Sequence, residues 1–194
     1  MAADRRRTRI LLVGTFLLFF LPIMAAWLLN IYAPDWRPFG TLNHGTLVEP
    51  VRQVSATHLA PADGSAMDAN YLSGHWTMVH LLDGDCGQSC IDALARSHQV
   101  QLALGDDRQR VQLLVVLLKA IDLKAADLPP GVAVVTAEDA WLDNFSFGRT
   151  QPKENIRVYL IDPQGYLMMR YSADVDQRGL LADLERLLKI SKIG

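Results

Sequence analysis

Apolar positions along the chain fall into three patterns, each predicting a different element. Residues 10–29 contain no charged side chain, and twenty helical residues at about 1.5 Å each span the ~30 Å hydrocarbon layer of a bilayer. This run predicts one transmembrane helix over 10–32. Trp76–Leu82 (WTMVHLL) and residues 111–118 (VQLLVVLL) are short, nearly continuous apolar runs. Length and flanking turn residues make them buried strands, and the second suits a parallel sheet covered on both faces. Gln177–Ile190 instead repeats Leu180, Leu181, Leu184, Leu187 and Leu188 at helical spacing, which predicts an amphipathic helix.

Turn formers punctuate these runs. Residues 33–50 hold Pro34, Pro38, Gly40, Gly45 and Pro50 without a helical period, and 60–65 (APADGS) is a second turn cluster; both read as linker and outer loop. Asp162-Pro163-Gln164-Gly165 separates Ile156–Ile161 from residues 167–171 and predicts an antiparallel hairpin. Ser89-Cys90-Ile91-Asp92 has the form of a capping box, with Ile91, Leu94, Ala95 and Leu102 following at helical spacing and Gly105 as a stop. Residues 132–135 fit a further short strand. The order is strand, cysteine turn, helix, strand, insert, hairpin, helix. It predicts an α/β thioredoxin-like fold preceded by one N-terminal transmembrane helix. The expected organisation is a basic N-terminus at 1–9, the helix at 10–32, a linker and outer loop or hairpin at 33–70, and the folded domain at 71–194.

Charge then fixes the expected orientation. Arg5, Arg6, Arg7 and Arg9 precede the apolar run, and the positive-inside bias keeps them in the cytoplasm and sends the domain to the periplasmic side of an inner (plasma) membrane. A cleaved signal peptide is the competing reading, with Ala25-Ala26 as small residues; the run is longer than a signal core and those alanines lie inside it, which favours an uncleaved anchor. The 194 residues carry a formal charge of -2 and no basic patch interleaved with aromatics, so nucleic acid is not an expected partner. The sequence also lacks a Gly-rich phosphate loop, a Gly-x-Ser-x-Gly elbow and a His-Glu-x-x-His motif, which removes the support for nucleotide-dependent and hydrolase readings.

The only two cysteines, Cys86 and Cys90, stand in the turn after the first apolar strand, with three residues between them. Such a pair can close a disulfide or offer two thiolates to a soft metal such as Cu(I), and a helix N-terminus favours the thiolate. Asp83 and Asp85 would oppose ionisation of Cys86 and make the pair less acidic than in strongly oxidising enzymes. A plain stabilising disulfide is the third possibility, with a small entropic benefit because the loop is short.

Gly74-His75-Trp76-Thr77-Met78-Val79-His80 through Cys86-Gly87-Gln88-Ser89-Cys90 resembles the Gly-Lys-Trp, apolar strand, Cys-Pro-x-x-Cys-Pro segment of the Sco/SenC proteins. Val158-Tyr159-Leu160-Ile161-Asp162-Pro163-Gln164-Gly165 is similar to that family's Tyr-Leu-Ile-Asp-Pro-x-Gly hairpin. The resemblance implies a membrane-tethered thioredoxin-like domain that carries Cu(I), or reduces cysteines, during assembly of the copper centre of cytochrome c oxidase. The implied partners are oxidase subunits or assembly factors, and the implied site is Cys86 and Cys90. The match departs at Glu154, which holds the place of the family's copper-ligand histidine; a carboxylate is a poor Cu(I) ligand. Gly87 and Ile91 replace the prolines after the cysteines.

Other candidate ligands are weighed against structural roles. His80 shares a strand face with Trp76, Met78 and Leu82 and reads as a core histidine. His75 reads as a solvated strand end and His98 as an exposed helix residue, which leaves His44 and His58, in the irregular region, as the histidines with no structural role assigned. Met67, Met78, Met168 and Met169 read as core filler. Residues 139–144 (DAWLDN) lack calcium-loop spacing and predict a solvated helix face with Trp141 buried.

Overall fold

The computed structural model describes residues 2–33, 43–84, 86–119, 128–145, 156–172 and 176–191. Two compact units result, one within residues 1–42 and one from Asn43 onward. The first is a single helix, α1 (Ala2–Tyr32), which continues through Pro22. It is long and apolar enough to cross a membrane, and its large apolar side chains, Phe16, Leu18 and Ile23 among them, point outward from the helix uncovered by protein. That is the arrangement expected of a helix whose solvent is lipid.

The second unit is an α/β domain. Among the described residues its strands are β1 (Thr46–Gln53), β2 (Leu59–Pro61), β3 (Trp76–Leu82), β4 (Val111–Leu117), β5 (Ala133–Ala137), β6 (Ile156–Ile161) and β7 (Tyr166–Tyr171). They form one sheet in the order β1-β7-β6-β3-β4-β5-β2. β3, β4 and β5 run parallel, and the remaining pairings are antiparallel. The helices are α2 (Gln88–Ala103), the short α3 (Asp139–Leu142) and α4 (Gln177–Ile190).

Every residue of β3 is buried, because both faces of the sheet are covered. Val79 and Leu81 enter a cluster with Trp141, Phe145 and Leu167. Trp76 and Met78 join Val100, Leu180 and Leu184 of α2 and α4 on the opposite face, and Leu82 packs there with Cys90 and Leu94. Met67 and Met168 lie against these clusters, and Met78 and Met169 lie within one of them, so the methionines serve the core as expected. The β6–β7 turn closes on Asp162, whose Oδ1 accepts from the Gln164 and Tyr166 N–H groups at 2.9 and 2.8 Å. Gly165 sits there at φ +84 with the Val54 carbonyl 2.9 Å from where a Cβ would stand, which requires glycine.

The sheet extends N-terminally into the stretch 33–70 read from sequence as linker and outer loop. β1 lies antiparallel to β7, with Leu47 opposite Met169 and Gln53 opposite Tyr166, and β2 lies antiparallel to β5. These are the two edge strands. Their apolar alternation is weak because an edge tolerates Glu49, Pro50 and Arg52 on its open side.

α2 also differs from expectation. Its N-cap is Gly87 rather than Ser89, and no side chain caps it. The buried face is Cys90, Ala93, Leu94, Ser97 and Val100, with Ala95 and Leu102 exposed. The small side chains Ala93 and Ser97 face the sheet, where only small groups allow close approach, and this rotates the helix away from the face that leucines alone mark. At the far end of the domain, Arg110 donates to the carbonyls of Leu188 and Ser191 at 3.2 and 2.6 Å. Carbonyls at the end of α4 are thus satisfied from another element.

Candidate redox site

β3 ends at Leu82 and the chain turns through Gly84, at φ +106, into the segment that carries Cys86. α2 begins at Gln88, so Cys90 stands in its first turn, with its N–H on the Gly87 carbonyl at 3.0 Å. The two sulfurs form a disulfide, the Cα atoms being 5.2 Å apart. Cys86 is half-buried, while Cys90 is 4% exposed and packs against Leu82, Leu94, Val115 and Leu117. The asymmetry follows from position: one cysteine is on a loop at the carboxyl end of a parallel strand, the other on the helix face turned to the sheet. Loops at the carboxyl ends of parallel strands are the usual place for chemistry in such sheets.

Two charges lie close by. Asp83 pairs with Lys119 at 2.8 Å, and the hydrogen bond and charge of Asp83 raise the Lys119 pKa. The lysine offsets part of the negative field that the sequence places beside Cys86, although both groups are exposed and screened by water. Asp85 lies outside the described residues. An open cleft of about 860 Å³ lies along β5 and the loop before it, and Leu117, Leu128, Val132 and Val134 of its lining also belong to the cluster around Cys90.

The histidines go elsewhere. His44 is bound to Asp183 of α4, with ring Nδ1 3.2 Å from Oδ1, and His58 pairs with Glu138 at 2.9 Å. His75 is exposed and His98 half-buried. His80 is fully buried, with Nε2 2.8 Å from Ser97 Oγ and Nδ1 lacking a hydrogen-bond partner among the described residues. Its pKa is lowered to about 4, chiefly by burial, with the Met78 backbone opposing weakly. Among the described residues no three His, Cys, Asp or Glu side chains gather as a metal site. Glu154 lies outside them.

Asp183 is the polar residue that sequence reasoning missed. It sits on the leucine face of α4, 3% exposed, and accepts from the N–H groups of His44 and Gly45, both at 2.9 Å, and from the Tyr171 hydroxyl at 3.2 Å. Burial, then the Asp183 charge and hydrogen bond, push the Tyr171 pKa upward. The available signal was an acid at a position where the leucine period calls for an apolar side chain.

Residues 76–191 match the model of the family described as transmembrane-like, thioredoxin-like, C-terminal domain. The chain belongs to this family. Solved Sco structures share its fold. Apo Sco1 from Thermus thermophilus superposes with a TM-score of 0.58 at 16% identity, covering 78% of this chain and 100% of that one. Yeast Sco1 with copper bound gives 0.56 at 17% identity over 78% and 96%. BsSco, described as a member of the Sco family of cytochrome c oxidase assembly proteins with a disulfide switch, gives 0.53 at 14% identity over 77% and 97%. No curated protein sequence matches this chain. The thioredoxin-like fold expected from the order of elements, and its likeness to the Sco/SenC proteins, are therefore both observed.

Proposed function

We propose that this member of the transmembrane-like, thioredoxin-like family is a single-pass inner-membrane protein that assists cytochrome c oxidase assembly by thiol–disulfide exchange through Cys86 and Cys90. Its N-terminus is cytoplasmic and its domain periplasmic, where disulfides persist. The observation that carries the reading is the unequal exposure of the two sulfurs in one disulfide at the start of α2. In the reducing direction, the Cys86 thiolate attacks a partner disulfide and releases one partner thiolate. Cys90 then loses its proton and attacks the Cys86 sulfur, which frees the second partner thiolate and leaves the Cys86–Cys90 disulfide. Two electrons pass to the partner, an oxidase subunit or assembly factor, and the reverse sequence oxidises it. The open cleft that shares Leu117, Leu128, Val132 and Val134 with the Cys90 cluster offers a surface on which a partner segment can lie.

Trapping tests this. Cys90→Ser should accumulate a reductant-sensitive covalent adduct through Cys86, while Cys86→Ser should give little, because its remaining sulfur is buried. Cys86→Ser/Cys90→Ser should lose most assembled oxidase; full assembly in that variant would refute the role.

A second reading is a Cu(I) chaperone using the same two thiolates when reduced. It is favoured by the copper-bound Sco proteins that share the fold. The two thiolates would be the soft donors, and among the described residues His44, His58 and His80 are engaged elsewhere. Competition for Cu(I) against a chromogenic chelator, with the double serine variant as control, separates the readings.

A further inference from the structure

β3, through the loop that follows it, and α2 deliver the two cysteines, and two of the contacts between these elements bear on the pair. Near the site, Leu82 of β3 packs on Cys90 of α2. Deeper in the domain, His80 Nε2 and Ser97 Oγ are 2.8 Å apart and both residues are buried. His80 lies two residues before Leu82, and Ser97 lies seven residues, about two turns, after Cys90 on the same helix face. The two contacts are therefore stacked along one strand and one helix.

They differ in kind. Apolar packing has no direction, so Leu82 and Cys90 can slide past one another at little cost. A hydrogen bond has a narrow range of distance and angle, so the deeper contact resists sliding. One residue of slip along α2 would move Cys90 by about 1.5 Å, and two cysteines close a disulfide only within a limited separation. Cys86 hangs from the end of β3, so the register of α2 on β3 sets how near Cys90 comes to it. In the disulfide form the covalent bond enforces that register. In the dithiol form, packing and the deeper hydrogen bond are left to do so.

We propose that His80 and Ser97 are positioning residues that hold α2 in register on β3 and thereby set the dithiol–disulfide equilibrium of Cys86 and Cys90. Losing the contact loosens the dithiol form, lowers the effective concentration of one thiol for the other and favours the dithiol. The inference rests on the reading of the pair as redox-active, but its measurement is independent of any protein partner.

The test equilibrates the full chain in detergent with glutathione buffers. In these, the disulfide and two glutathione thiols give the dithiol and glutathione disulfide, and the products are counted after thiol trapping. Ser97→Ala should shift the constant about fivefold toward the dithiol, the equivalent of one neutral hydrogen bond. His80→Leu, which leaves α2 untouched and cannot hydrogen-bond Ser97, should shift it the same way, and Ser97→Thr, which keeps the hydroxyl, should stay within about twofold of the unmutated chain. A merely structural contact would lower the melting temperature of both redox forms alike and leave the constant where it was. Unchanged constants in Ser97→Ala and His80→Leu overturn the proposal, as does a Ser97→Thr constant equal to that of Ser97→Ala. Failure of Cys90→Ser to trap a partner would instead sink the exchange reading while leaving this equilibrium result intact.

Discussion

Asp183 and His80 are both ionisable, both buried, and both carried on elements that the hydrophobic pattern marks as apolar. Asp183 meets the N–H groups of His44 and Gly45, the His44 ring and the Tyr171 hydroxyl. His80 meets one hydroxyl, and its second ring nitrogen has no hydrogen-bond partner among the described residues. The carboxylate ties the segment before β1 to α4 and to β7. The imidazole ties only β3 to α2, the pair of elements that carries the cysteines. Stripping a buried carboxylate of several donors is costly, whereas the link from β3 to α2 through the imidazole is a single neutral hydrogen bond. The first belongs to the architecture and the second to the proposed redox chemistry.

The strongest test of that contrast is Asp183→Ala. Two backbone N–H groups would lose their acceptor, and the Tyr171 hydroxyl would lose its own. The expected loss is about 3 kcal/mol or more in urea unfolding; a loss under about 1 kcal/mol would show the fastening to be incidental.

Acidification should separate the two groups next. His80 is held neutral in the fold, with its pKa lowered from an ordinary 6.5 to about 4. Between those values the unfolded chain binds a proton that the folded chain does not. Stability from this group is therefore complete above about pH 6.5, falls as pH drops toward 4, and levels off below. The ceiling is on the order of 3 kcal/mol. A stability profile flat from pH 7 to 4 would contradict the burial of a neutral imidazole.

The smallest effect is the sharpest. His80→Leu/Ser97→Ala removes both polar partners together, and such paired replacement is nearly neutral, within about 1 kcal/mol at pH 7. The same variant should lose the acid-dependent slope that His80 contributes, which distinguishes it from the titration of carboxylates elsewhere. A double variant several kcal/mol less stable would mean that His80 is as deeply built in as Asp183.

Much of the fold was legible before the structure. The bounds of β3 and α4, the hairpin around Asp162–Gly165 and the buried Trp141 on α3 follow from runs, periods and turn residues that act locally. The edge strands were not legible, because β1 is held by ladder bonds to β7 and not by a two-residue apolar period of its own. The buried face of α2 was misread for a related reason: Ala93 and Ser97 face the sheet because they are small, and size is not what a hydrophobic period detects.

The sequence by itself determined that one apolar helix precedes an α/β domain, and that the only cysteines stand where the apolar strand Trp76–Leu82 gives way to the following helix. Those features rest on short-range properties: apolar run length, turn chemistry and the spacing of Cys86 and Cys90. Only the tertiary structure decided that Ala93 and Ser97 belong to the buried face of α2, that His44 belongs to Asp183, and that His80 reaches Ser97. Each of these depends on which faces meet when distant segments pack, and burial and hydrogen-bond partners exist only once that meeting has occurred.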